Sequence, residues 1–200
     1  MPPQLVLASA SPRRRELLAA AGYRFAVVTA DIDETPRREE AAAAYVARLA
    51  EAKALTVLDE HPDTLVIGAD TTVVVDGDIL AKPADAAEAT AMLERLQGRA
   101  HEVLTGVALV AAGWSRVTVA ATTVWFAAMT ADEVAAYVSS GEPMDKAGAY
   151  GIQGRAARYV TRIDGSYSNV VGLPVAVVHE LLAGYPGGWP EGVADGPDIG

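Results

Sequence analysis

Hydrophobic and polar positions follow two rhythms along this chain. Compact apolar runs at residues 5–8, 25–29 and 65–69 read as buried strands. Val73–Val75 and Ile79–Leu80 flank Asp76-Gly77, a strong signal for a tight hairpin. Residues 102–112 and 116–128 read as two long strands joined near Gly113, and residues 158–163 as a further strand. Between them lie helical stretches. Ser11-Pro12 opens a helix that runs to Ala21 before Gly22, with Ser11 expected as its cap. Residues 38–58 form a long helix. Asp85 with Glu88, and Thr130 with Glu133, open two capped helices, at residues 85–97 and 130–140. A final helix starts at Pro174 and stops at Gly184.

Strands and helices are thus interspersed, while two strand pairs look like hairpins. That predicts an α/β protein with a mixed central β-sheet and flanking helices. Residues 1–185 are expected to form one domain. Residues 186–200, rich in Gly and Pro and acidic, read as a disordered tail.

Composition narrows the chemistry. The 200 residues include no cysteine, which removes disulfides, thiolate catalysis and the usual zinc cages. The net charge of −10 argues against a general nucleic-acid binder. No secretory signal and no membrane-length apolar segment is read, so the expected location is the cytoplasm. Positive charge is scarce and local, which makes its clusters worth following.

One cluster is Ser9-Ala-Ser11-Pro12-Arg13-Arg14-Arg15, where a strand meets a helix N-terminus. Free backbone N–H groups and the helix dipole favour an anion there, and arginine grips phosphate oxygens in pairs. Cations in a first helical turn oppose the dipole, a conflict that a bound phosphate resolves. The same residues also fit a serine-capped helix with a solvated basic face. Lys53 shares an apolar stripe with Val46, Leu49 and Val57. It either points into a cleft or snorkels to water along its stem.

Asp70-Thr71-Thr72 follows an apolar run and is placed at a strand's end, where α/β proteins gather ligands. Asp70 there suits metal binding or proton acceptance, and equally a satisfied turn. Glu34, with Asp31 and Asp33, adds candidate oxygen ligands, although an acidic run is also an ordinary solvated loop. Lys82-Pro83 offers a further cation, or merely an exposed loop lysine. In Ala147–Gly154, three glycines allow close backbone approach to a ligand, and Gln153 suits a nucleobase edge. His61, His101 and His179 are dispersed and read as structural. There is no Walker-type loop and no GxGxxG fingerprint.

Taken in order, five strings resemble the Maf family of nucleoside triphosphate pyrophosphatases. They are Leu7-Ala-Ser-Ala-Ser-Pro-Arg-Arg-Arg-Glu-Leu-Leu18, Gly68-Ala-Asp-Thr-Thr-Val73, Ala81-Lys-Pro83, Asp145-Lys-Ala-Gly-Ala-Tyr-Gly-Ile-Gln-Gly154 and Ile163-Asp-Gly-Ser-Tyr-Ser-Asn-Val-Val-Gly-Leu-Pro174. The resemblance implies two lobes around a cleft, similar to inosine triphosphate pyrophosphatases. It implies cleavage between the α and β phosphates with a divalent cation, Mg²⁺ or Mn²⁺. It places Ser9, Arg13, Glu34, Lys53, Asp70 and Lys82 in the polar cleft, with Glu34 and Asp70 toward the metal and Asp70 as proton acceptor. Arg13, Thr71 and Gln153 match positions linked to base choice. The 147–154 string looks like the branch acting on dTTP and UTP, not the branch preferring 7-methyl-GTP. The partner expected is a nucleoside triphosphate, with no nucleic acid and no membrane, and a homodimer is compatible. The competing expectation is a nucleotide-binding regulator of septum formation with little turnover. A phosphatase acting on smaller esters is a third.

Overall fold

The computed structural model describes residues 3–189. Two parallel strands, β1 (Gln4–Ala8) and β2 (Ala26–Val28), are bridged by helix α1 (Pro12–Ala20). Helix α2 (Ala42–Glu60) then leads into β3 (Thr64–Val75), a 12-residue strand parallel to β1. The short β4 (Asp78–Leu80) folds back on β3 through the Asp76-Gly77 turn. Both turn residues have positive φ, 54° and 84°, as this tight hairpin requires.

After α3 (Ala86–Leu96) come the long antiparallel strands β5 (Ala100–Ala111) and β6 (Trp114–Phe126). Helix α4 (Ala131–Val138), a series of 3₁₀ turns over residues 142–159, β7 (Val160–Asp164), α5 (Tyr167–Val171) and α6 (Val175–Ala183) complete the elements of the described residues. The seven-stranded sheet runs β2-β1-β3-β5-β6-β7, with β4 on the side of β3. It is mixed: parallel at β2-β1-β3, antiparallel elsewhere.

The long strands serve two lobes. In the first, Leu5, Leu7, Leu65, Ile67 and Leu109 pack with Leu18 of α1, Val178 and Leu182 of α6, and Leu173 in the link before α6. In the second, Val73, Val103, Val124 and Phe126 pack with α3, α4 and the 3₁₀ turns. Burying each leucine or isoleucine contributes about 1.5–3 kcal/mol. On the opposite face of the first lobe α2 lies unusually close to the sheet. Gly68 and Gly106 allow this, since a β-carbon on either would run into the α2 backbone at Ala50 or Val46.

Several expectations need correction. Residues 65–69 and 73–75 belong to one strand, so Asp70 lies within β3 and not at its end. Its pairing with β5 is unbroken from Val66↔Val110 to Val74↔Glu102. The polar triplet breaks the hydrophobic pattern but not the ladder, since β-branched threonines suit a pleated surface. Helix α2 begins at Ala42 and not near residue 38, because Glu39 has a left-handed φ of 58° and Glu40 turns to Arg37 and Arg48. The short α5, capped by Ser166 on the Asn169 N–H, lies in residues 164–174, a stretch whose composition reads as a turn-rich entry to the last helix. Ser11 occupies the cap position of α1 but makes no side-chain cap bond. The predicted caps at Asp85 and Thr130 are formed. Of the expected tail, residues 186–189 are described, with Gly188 N–H donating to Tyr185 O and Trp189 packing against the first-lobe cluster, and residues 190–200 lie outside the described residues.

Candidate functional site

The site begins with a gap in the sheet. One edge of β3 pairs with β1 over residues 64–68 and with β4 over residues 73–75. Between them, residues 69–72 have no strand neighbour on that side. Successive residues of a strand point to opposite faces. Asp70 therefore looks toward α2, and Thr71 toward α1 and α5. A cleft of about 700 Å³ opens at this gap and takes its walls from both lobes.

On the α2 side, Lys53 carries the inward stripe of its helix into the cleft and is only 9% exposed. Its Nζ lies 2.7 Å from Asp70 Oδ1 and 2.7 Å from Glu34 Oε1. Thus the stem does not snorkel to water. Burial pushes the Asp70 carboxyl above its ordinary pKa, although Lys53 and Arg14 pull it down. For Glu34, burial acts upward, but the hydrogen bond and charge of Lys53, with Lys82 and Arg14, outweigh it. Glu34 is therefore held below the usual carboxylate range. Two neighbouring carboxyls thus have displaced affinities for protons, in opposite directions.

On the other side, Arg14 is the hub. Its Nε donates to Gly172 O at 2.8 Å, Nη1 to Ala69 O at 2.8 Å and Ser9 Oγ at 3.3 Å, and Nη2 to Thr71 Oγ1 at 3.0 Å. Arg14 makes no ion pair among the described residues, and burial lowers its pKa. A desolvated cation braced only by carbonyls and hydroxyls favours an incoming anion. Ser9, 7% exposed, also accepts the Ser11 N–H at 3.2 Å. Because Ser11 does not cap α1, the first helical N–H groups remain available at the cleft.

Arg13 reaches across the mouth to Asp145, 3.1 Å away. Lys82 and Gln153 line the cleft, are exposed, and make no side-chain hydrogen bond among the described residues. Thr71 lines it too, with its hydroxyl 2.9 Å from Thr105. All of Ser9, Arg13, Glu34, Lys53, Asp70, Thr71, Lys82 and Gln153 border this one cavity, whereas Asp31 and Asp33 do not. Asp33 instead accepts the Thr35 N–H in the loop.

Taken singly, the three arginines do not reveal Arg14 as the inward-facing, half-buried member of the triplet. The signal was there: Leu18, four positions on, is buried on the same helical face. Also missed were Tyr45, whose hydroxyl holds Glu34 O at 3.0 Å, and the Glu142–Lys146 turn.

As a donor set for a metal, Glu34 and Asp70 each give one oxygen to Lys53. Their second oxygens have no hydrogen-bond partner among the described residues. Two carboxylates suit a hard divalent ion that takes its remaining ligands from water and phosphate. No group of three or more acidic or imidazole ligands exists among the described residues. The histidines stand apart: His101 is buried against Tyr150 and Phe126, and His179 meets Tyr23.

A mixed α/β sheet with a buried lysine, half-buried arginines and paired carboxyls at an open strand edge defines a protein built to hold a compact polyanion. The chain belongs to the Maf family, whose model, described as Maf-like protein, matches residues 4–185. It is 54% identical over 182 residues to a dTTP/UTP pyrophosphatase of Hahella chejuensis, covering 90% of each chain. Over 187 residues it is 55% identical to a dTTP/UTP pyrophosphatase of Myxococcus xanthus, covering 92% of this chain and 95% of that one. Among solved structures, the Staphylococcus aureus Ham1 protein matches with a TM-score of 0.40 and 14% identity, over 62% of this chain and 71% of that one. Among the described residues no helix is long and apolar enough to cross a membrane.

Proposed function

We propose that this chain hydrolyses dTTP and UTP, and related pyrimidine nucleotides, to the monophosphate and pyrophosphate. The observation that carries this reading is the Glu34–Lys53–Asp70 cluster, set at the gap in β3 and facing Arg14 across it. The names of relatives more than half identical in sequence support the substrate class.

The phosphates lie against the N-terminus of α1. Arg13, Arg14, Lys53 and Lys82 neutralise them, and the Ser9 hydroxyl donates a hydrogen bond. Asp70 takes a proton from the water that attacks the α-phosphorus. A bond forms between water oxygen and that phosphorus, the bridging bond to the β-phosphate breaks, and pyrophosphate leaves. The raised proton affinity of Asp70 suits this task, since a base works best with a pKa nearer the working pH. Glu34 and Asp70 would hold Mg²⁺ or Mn²⁺ through their free oxygens, and such an ion neutralises charge on the phosphates. Gln153, and Thr71 beside Asp70 and Arg14, line the same cleft and meet the nucleoside.

The test is a panel of ordinary and modified triphosphates incubated with Mg²⁺ or Mn²⁺, with products separated by chromatography. Monophosphate and pyrophosphate from dTTP and UTP are expected. Binding without any product would instead make the chain a nucleotide-binding regulator. Orthophosphate release would make it a phosphatase.

A further inference from the structure

Two side chains on opposite walls of the cleft, Arg13 and Gln153, are joined through one short turn. The Glu142 carboxylate accepts the Arg155 N–H with both oxygens, at 3.0 and 3.1 Å. Its Oε1 also accepts the Tyr137 hydroxyl at 3.0 Å, and that hydroxyl accepts the Gly151 N–H at 3.3 Å. The segment bearing Gln153 is therefore fastened at both ends, Gly151 and Arg155. Gly154 sits so close that a β-carbon on it would collide with the Glu142 carboxylate.

The other end of the same turn faces Arg13. Lys146 Nζ donates to Glu142 O at 2.7 Å and to Asp145 Oδ1 at 2.6 Å. The Lys146 stem lies against Gly151. Asp145 Oδ2 then takes Arg13 Nη1. Glu142 does not itself line the cleft, while Gln153, Arg13, Asp145 and Lys146 do.

We propose that Glu142 is a positioning residue for base selectivity: its carboxylate fixes the Gln153 segment. This rests on the reading that a nucleoside triphosphate fills the cleft. A polar group tells one base edge from another only while its donors and acceptors are held in place. The Gln153 side chain has no hydrogen bond of its own among the described residues, so its placement comes from the backbone that Glu142 holds. The side chains assigned to the phosphates, in contrast, make no hydrogen bond with the Glu142 carboxylate, whose partners are Tyr137 and Arg155.

The experiment compares Glu142→Ala, Glu142→Gln and Gly154→Ala with the unaltered protein. It measures kcat and KM for dTTP, UTP, CTP and GTP with Mg²⁺, and Tm for each variant. Glu142→Ala and Gly154→Ala are expected to lower kcat/KM for the preferred pyrimidine about tenfold, chiefly through KM. The preference over GTP should shrink by a similar factor, with kcat within about twofold. Glu142→Gln keeps an acceptor oxygen and should recover part of the loss. An equal fall for every nucleotide, or unchanged ratios in a folded variant, overturns the proposal. If Glu142→Ala does not fold, the other two variants carry the same readout. Equilibrium binding of the four nucleotides gives the selectivity ratio even without turnover. Failure of hydrolysis is thus separable from failure of selectivity.

Discussion

The two ends of the cleft are built on different principles. At the phosphate end, the three central side chains project from regular structure, Lys53 from the middle of α2, Asp70 from the middle of β3 and Arg14 from α1, while Ser9, Glu34 and Lys82 join them from adjoining loops. The ladder between β3 and β5 and the close seat of α2 on Gly68 and Gly106 fix their positions. At the end bearing Gln153, the backbone runs in 3₁₀ turns with Gly148 at a φ of 66° and Ala149 at 58°. There, side chains such as Glu142, Tyr137 and Lys146 tie the chain down. The first arrangement resists change and suits chemistry common to all triphosphates. The second places individual contacts, which suits discrimination among bases.

This contrast can be broken first at Asp70. Asp70→Asn should cost about 10²–10⁴ in kcat, the usual worth of a general base, with the fold retained. Pyrophosphate release and circular dichroism check this, and near-normal turnover in a folded variant removes Asp70 from its role. Lys53→Met should act on both stability and rate. It leaves two close carboxyls, one of them buried, without their shared cation, a loss of about 3 kcal/mol by denaturant titration. It should also raise the Asp70 pKa further, because a compensating positive charge is gone.

In the unaltered protein, the raised Asp70 pKa already has a pH consequence. Asp70 works deprotonated, so kcat/KM should fall on the acid side, starting above the pH at which an ordinary carboxylate titrates. Stability should respond to a different group. Burial depresses His101 from 6.5 to about 4 in the folded state. Its neutral form is therefore favoured by folding. That contribution is complete above pH ~6.5 and is lost as pH falls toward 4, amounting to about 3 kcal/mol. Denaturant midpoints across this range test it, and a flat profile contradicts it.

Gly106→Ala probes the scaffold of the phosphate end. The added methyl meets Val46 on α2, and overpacking of this kind typically costs about 1–3 kcal/mol. It should slow turnover of all nucleotides alike, unlike the Glu142 variants. The smallest effect is expected at Thr130, which caps α4 away from the cleft. Thr130→Ala should cost about 1 kcal/mol and leave the rate unchanged.

The same contrast explains what could be read from the residues alone. Periodicity put Lys53 on the inward face of α2, and Asp76-Gly77 announced the β3–β4 hairpin. Asp70 stands out because it interrupts an apolar run, though the strand continues through it. Arg14 was hidden within three consecutive arginines, since choosing the inward one requires the phase of the helix relative to Leu18. The brace at Glu142 left no pattern at all. It acts through backbone N–H groups of a turn, and those contacts follow no period along the chain.

The most direct test is hydrolysis of dTTP in ¹⁸O-labelled water, with the products weighed by mass spectrometry. Attack at the α-phosphorus, with Asp70 as proton acceptor, predicts one labelled oxygen in thymidine monophosphate and none in pyrophosphate. Label in the pyrophosphate, with an unlabelled monophosphate, would mean that water strikes elsewhere, contradicting the chemistry assigned to this cleft.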